Sequence, residues 1–244
     1  MTELTKPEEN NQGGLSKALQ SPMQRRAFFR YAGGTAAAAA LLLTACNDDD
    51  EITPMPPMEG VDLGSGDIGI LNYAYALEQL EAAFYTEVVS KSAGALSADE
   101  MKVMMDIKAH EVAHREFFKA ALGSKAIGGL EVDFSKINFS DKNSILTTAM
   151  TFEDLGVAAY NGAGQLFTDS GNGLTYLLLA GKIVSVEARH AAAIHDLMSN
   201  NARKLGEELI DMNGLDRAFM PDKVLAAAGP YIKTKINFSN LPTK

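Results

Sequence analysis

Apolar residues recur at helical spacing through four long stretches of the chain, which predicts four amphipathic helices. The first runs from about Asp67 to Ala93 and stops at Gly94. The second opens at Ser97-Ala98-Asp99-Glu100. A Ser and a Glu three residues apart can satisfy each other's free backbone amides, so this is a capping box. That helix ends near Leu122, before Gly123. The third runs from about Asp141 to Thr168, the cluster Asp169-Ser170-Gly171-Asn172-Gly173 makes a turn, and the fourth runs from about Leu174 to Ser199. Aromatic residues make up only 7% of the chain and Trp is absent, a composition that favours helix over sheet.

The connections set the topology. The first–second and third–fourth links are short, so each pair is an antiparallel hairpin. The link from Gly123 to Ser140 is long. Extended, it covers roughly 60 Å, more than the roughly 40 Å of a long helix here, so it can run the length of the bundle and leave the second and third helices parallel. The expected fold class is all-α: a four-helix bundle over residues 67–200 with one long crossover. Residues 201–244 are expected to form a C-terminal extension, with a short covering helix near Pro221–Ala228. The pentapeptide Lys136-Ile137-Asn138-Phe139-Ser140 recurs as Lys235-Ile236-Asn237-Phe238-Ser239, which raises the expectation that two extended copies pair.

The chemistry emerges when the third helix is laid on the first with an offset of 75. Leu71, Ala74, Glu78 and Tyr85 then fall on Leu146, Ala149, Glu153 and Tyr160. With an offset of 76 the fourth helix matches the second: Ile107, Glu111 and His114 fall on Ile183, Glu187 and His190. Each half therefore places glutamates inside an otherwise apolar stripe, and each carries one Glu-x-x-His. Four buried, unpartnered carboxylates would repel strongly, and a cation removes that cost. Glu and His three apart project from one face, so each such pair can bind a metal, with Glu78 and Glu153 completing or bridging the site. Oxygen-rich ligands with imidazole and no thiolate suit Fe or Mn better than Cu(I) or an iron–sulfur cluster.

These residues resemble the ferritin-like di-iron and di-manganese carboxylate superfamily, whose site is built from a Glu on each of two helices and Glu-x-x-His on each of the other two. In detail the chain is most similar to the desiccation-related ferritin-like type. The resemblance implies a metal set of Glu78, Glu111, His114, Glu153, Glu187 and His190 holding two Fe or Mn ions. Tyr85 and Tyr160 also match family positions and are expected just outside the ligands. Glu81, three after Glu78, has Gly156 as its repeat partner and is expected beside the site rather than in it. Several relatives carry an acid directly before each Glu of Glu-x-x-His, but this chain has His110 and Val186 there. His110 is expected to be partly exposed or hydrogen-bonded, and His195 to point away from the ligand face. The implied function is oxidation of Fe(II) or removal of peroxide at a dinuclear centre. The alternative is a non-enzymatic, stress-related or metal-binding structural protein.

The first 45 residues have a different character. Arg25-Arg26-Ala27-Phe28-Phe29-Arg30 precedes an Ala- and Leu-rich run too short for a comfortable membrane span. The run ends in Leu43-Thr44-Ala45-Cys46. The paired arginines resemble a twin-arginine (Tat) export signal, and the end of the run resembles a bacterial lipobox with Cys46 as the lipidated residue. Cys46 is the only cysteine, which excludes a disulfide scaffold. Residues 1–45 thus read as a signal peptide, and residues 46–66, acidic and Pro-rich, as a tether. The acidic run after Cys46 resembles the surface-export signals of some bacterial lipoproteins.

Net charge is -9, and removing residues 1–45 takes away five bases and three acids, leaving -11. So acidic a protein disfavours nucleic acid, and attachment to an anionic membrane must come from acyl chains. The expected partners are the Tat machinery and the membrane, through Cys46. A homodimer is compatible with this reading. The expected location is the cell envelope, outside the cytoplasmic membrane on its periplasmic or cell-surface face. No phosphate-cradling loop, nucleotide fingerprint or Ser-His-Asp set is present. Mass spectrometry of the membrane fraction is expected to find a mature chain starting at acylated Cys46. An intact, unmodified chain from Met1 would contradict this, and changing Arg25 and Arg26 to Lys is expected to block export.

Overall fold

The computed structural model describes residues 60–199 and 209–242. Arg25, Arg26, Cys46 and most of the expected tether lie outside the described residues. Among the described residues five α-helices are formed: α1 (Gly66–Lys91), α2 (Ala98–Leu122), α3 (Lys142–Gly164), α4 (Gly173–Met198) and α5 (Pro221–Ala228). Two short strands, β1 (Val61–Asp62) and β2 (Ile236–Asn237), accompany them. Among the described residues no helix is long and apolar enough to cross a membrane.

α1 packs on α2 and α3 packs on α4, as two hairpins. The capping box opens α2 as its sequence dictates. Ser97 Oγ accepts from the Glu100 amide at 3.3 Å, and Glu100 Oε2 accepts from the Ser97 amide at 2.8 Å. Lys142, at the start of α3, pairs with Glu100, at the start of α2, so the two helices run parallel. The crossover between them lies along α1 and is fastened by two amide side chains two helical turns apart. Asn72 donates to Leu63 O and Lys125 O and accepts from the Ile127 amide, each at 3.0 Å. Gln79 donates to Gly128 O at 3.3 Å and accepts from the Leu130 amide at 2.9 Å. Further on, Phe134 meets the Phe84 ring edge to face and Phe139 packs against it at a tilt. The two amide side chains buried in α1, Asn72 and Gln79, are thus bonded to the segments that cover them.

Three sequence expectations are corrected. α3 ends at Gly164, not Thr168. Gly162 and Gly164 weaken its last turn, and Thr168 instead binds Asp67 of α1 through its amide at 2.9 Å and its hydroxyl at 2.8 Å. The expected tether extends too far: β1 is ordered, and Leu63 is fully buried in the core. The two pentapeptides do not pair with each other. The second supplies β2, which runs parallel to β1 with Val61 opposite Ile236. What the two copies share is a local turn, in which Asn138 and Asn237 accept through Oδ1 from the amides of Ser140 at 3.0 Å and Ser239 at 3.1 Å.

The C-terminal extension closes the bundle. α5 packs on α3 and buries Val224, Leu225 and Ala228. Just before it, the Phe219 amide donates to Ala158 O at 2.9 Å. That approach requires Gly162, because a Cβ there would overlap the carbonyl oxygen of Phe219. Gly162→Ala should therefore lift the segment off α3. A loss of about 1–3 kcal/mol in denaturant unfolding is expected, although Ala normally favours a helix.

Candidate metal centre

The glutamates of the stripe interrupt an otherwise apolar core. One cluster contains Tyr85, Phe84 and Phe152; the other contains Leu71, Phe118 and Tyr160. Between them Glu78, Glu111, Glu153 and Glu187 are each 0% exposed, and His190 is 4% exposed. The four helices bring all six expected ligands together, and their atoms fall into two sets. Glu78, Glu111, His114 and Glu187 form one; Glu111, Glu153, Glu187 and His190 form the other, with the ligand atoms of each set within 4.8 Å of one another.

The individual distances divide the oxygens without overlap. His114 Nδ1 lies 3.0 Å from Glu187 Oε1, 3.4 Å from Glu78 Oε2 and 3.6 Å from Glu111 Oε2. His190 Nδ1 lies 2.8 Å from Glu111 Oε1, 3.4 Å from Glu153 Oε2 and 3.7 Å from Glu187 Oε2. Glu111 and Glu187 thus give one oxygen to each set. The sequence left open whether Glu78 and Glu153 complete or bridge the site. They complete it, one in each set, and the glutamates of Glu-x-x-His are the shared pair.

The tyrosines explain why the lone glutamates offer a single oxygen. Tyr160 donates to Glu78 Oε1, and Tyr85 donates to Glu153 Oε1. Each bond crosses from one hairpin to the other and fixes the carboxylate with its second oxygen facing inward. Eight inward atoms remain, all buried and without a hydrogen bond: Oε2 of Glu78 and Glu153, both oxygens of Glu111 and Glu187, and Nδ1 of His114 and His190. Native interiors rarely leave polar atoms in this state, and here they converge as two sets of four. This donor set fits two divalent cations.

Without metal the centre must hold protons. Burial raises the Glu78 carboxyl well above its usual range, and the charges of Glu111 and Glu187 add to this. Burial likewise pushes Glu153 up to about 8, aided by Glu187 and Glu111 and opposed by His190. For His114 and His190 burial opposes the charged form, but the surrounding carboxylates outweigh it and raise both to about 12. Glu111, despite its burial, is lowered to about 2 by the two imidazoles.

A sequence profile of the ferritin-like domain matches residues 66–200, more than half of the chain. The chain belongs to the ferritin-like family. No curated protein matches it in sequence. Its mostly helical architecture agrees with that family, and its buried carboxylate–histidine cluster is a site that could hold metal.

The remaining candidates fall around the ferritin-like centre. Glu81 is 4% exposed and belongs to neither set. Its carboxyl faces Gly156, where a Cβ would come within 3.1 Å of Glu81 Oε1 and 3.5 Å of Glu187 Oε2. The repeat partner of Glu81 is a glycine because the space is taken by Glu81 itself. Burial raises the Glu81 carboxyl, and Glu111 and Glu187 raise it further. His195 lies outside the centre and bonds Asp154 at 2.9 Å. His110, given no role in the ligand sphere from sequence, places Nδ1 2.9 Å from His190 Nε2. Its signal was its place directly before Glu111, where relatives carry an acid.

Proton release sets the pH response. Metal must displace protons from His114, His190 and Glu153, all raised in the metal-free fold, so affinity rises with pH. Groups with a raised folded-state pKa stabilise the metal-free fold less as pH rises, so that form loses stability across the same range. Metal at about 1,000 times its dissociation constant adds roughly 4 kcal/mol. Calorimetry is expected to show the gap in Tm between loaded and metal-free protein widening from about pH 5 to 8. A gap that narrows over this range would contradict the assignment.

Proposed function

We propose that this ferritin-like protein binds two Fe or Mn ions at the six-residue centre and reacts with O2 or hydrogen peroxide. In this reading it oxidises Fe(II) or removes peroxide, tethered outside the cytoplasmic membrane by acylated Cys46 after Tat export. The observation that carries the dinuclear reading is the division of Glu111 and Glu187, each with one oxygen in each set. Two such ions side by side supply two electrons to a single oxidant. Tyr85 and Tyr160 hold Glu153 and Glu78 in place, which keeps their free oxygens aimed inward through a change of charge. Glu81, buried next to Gly156 and with its carboxyl raised by burial and by the charges of Glu111 and Glu187, can hold a proton for delivery into the centre. The apolar clusters at either end exclude bulk water. Export by the Tat route, which carries folded proteins, would let the site load before transport.

Metal analysis of protein purified from its native host is expected to find Fe or Mn at about two ions per chain, one for each ligand set. His114→Ala or His190→Ala should lower this toward one, while Glu81→Ala should do less. The reduced, loaded protein should change its absorption on adding O2 or hydrogen peroxide, and Glu153→Ala should abolish that change while leaving the helical circular dichroism intact. A metal-free native protein, or a loaded one inert to both oxidants, would instead favour a structural role in the cell envelope.

A further inference from the structure

The two halves of the centre differ on their outer side. A histidine that binds metal through one nitrogen usually donates from the other to an oxygen or nitrogen acceptor, which fixes its ring. His190 has such a partner within the chain: His110 lies 2.9 Å from its Nε2, with the rings within 9° of parallel. His114 is the repeat counterpart of His190, but the position corresponding to His110 is Val186, which offers no polar atom. Nε2 of His114 bonds to no described residue, and its side chain is 13% exposed against 4% for His190.

His114 also lines a groove of about 560 Å³ between α2 and α4. Its walls are apolar, with Phe117 and Ala120 from α2 and Leu179 and Ile183 from α4. Two charged residues line it as well, and only one is neutralised: Glu116 is paired with Arg115 at 2.7 Å, whereas Lys182 has no ion pair among the described residues. Apart from the Glu116 carboxylate, which faces Arg115, the polar groups of the groove are the Lys182 ammonium and the outer edge of the His114 ring. Its Nε2 carries hydrogen when Nδ1 holds a metal and whenever the ring is the imidazolium; only the neutral tautomer with its proton on Nδ1 lacks it.

We propose that this groove binds an organic carboxylate with an apolar tail. The carboxylate accepts from His114 Nε2 and pairs with Lys182, and the tail lies along Phe117, Ala120, Leu179 and Ile183. The volume suits one small organic molecule. Charge complementarity favours an anion, because Lys182 is the charged residue of the lining that has no ion pair among the described residues. Bound there, the carboxylate does for His114 what His110 does for His190, fixing the ring and raising its basicity. One half of the centre is thus tuned from within the chain and the other by a ligand.

The test is calorimetric titration of the full chain, metal-free and Fe-loaded, with sodium decanoate, decanol and acetate, with metal content measured alongside. Decanoate is expected to bind once per chain in both forms, with decanol and acetate each weaker by about tenfold or more. In metal-free protein the ¹⁵N resonance of His114 Nε2 should shift on adding decanoate. Ala120→Phe, at an exposed position, should fill the groove and abolish binding with the melting curve unchanged, and Lys182→Ala should weaken it several-fold. Decanol binding as tightly as decanoate would reduce the groove to an apolar slot and overturn the proposal. So would decanoate binding that survives Ala120→Phe, or a dimer in sedimentation that Ala120→Phe dissociates, which would assign the groove to a second copy. Decanoate binding by a chain that takes up no metal would support this proposal while ending the dinuclear reading.

Discussion

Five carboxyl groups and two imidazoles share the middle of one helical bundle, and the fold must supply whatever keeps them from repelling one another. Glu78, Glu111, Glu153 and Glu187 are inaccessible to water, and Glu81 is nearly so. An ionised carboxylate in such a setting is costly unless a cation, a proton or a hydrogen bond compensates it. The first hairpin carries four of these groups and the second three, and the compensation runs between hairpins. Tyr160 on α3 reaches Glu78 on α1, Tyr85 on α1 reaches Glu153 on α3, and each histidine faces carboxylates of the opposite hairpin. Docking the hairpins and neutralising the centre are therefore one event. Protons accomplish it in the metal-free chain, and two cations sharing Glu111 and Glu187 would do so with every inward atom engaged.

The same constraint accounts for the unequal treatment of the helices. α1 is buried almost all round from Gly69 to Ala82, because the crossover, the β1 segment and the C-terminal segment all lie against it. Such a helix has no solvent face to present, and its polar residues Asn72 and Gln79 bond the strap that covers them. Among the described residues α2 and α4 have no such cover. Leu174, Leu177 and Leu178 of α4 remain 49%, 40% and 40% exposed, and the groove that reaches His114 opens between these two helices. Access to the centre is left on one side because the long connection occupies the other.

Much of this was legible in the sequence, because helical spacing is strict. Glutamates in an apolar stripe, repeated at offsets of 75 and 76, name the six inward residues and the two tyrosines before any coordinates. The capping box and the crossover follow from equally local rules. What was not legible depends on how helices face one another. Which glutamates are shared rests on the rotation of α2 against α4, and spacing along one helix does not encode that. The early end of α3 has a tertiary cause, as Thr168 is taken by Asp67. The β1–β2 pairing joins two segments more than a hundred residues apart, with nothing in their side chains to announce it.

The two breaks in the repeat have different physical origins. At Glu81 and Gly156 the break is steric. The pseudo-symmetric positions meet in the middle of the bundle, and a Cβ at Gly156 would already crowd Glu81 Oε1 at 3.1 Å, so only one carboxyl can occupy the space. At His110 and Val186 no such crowding exists, since both lie toward the outside. Yet both breaks act on the same half. A Cβ at Gly156 would meet Glu187 Oε2, an oxygen of the His190 set, as well as Glu81 Oε1, and His110 bonds His190 itself. That half gains a buried carboxyl and a second imidazole, whereas the His114 half gains only the groove. Two ions held by identical ligands would then sit in unequal fields, and the ion beside His114 would be the one whose surroundings solution can change.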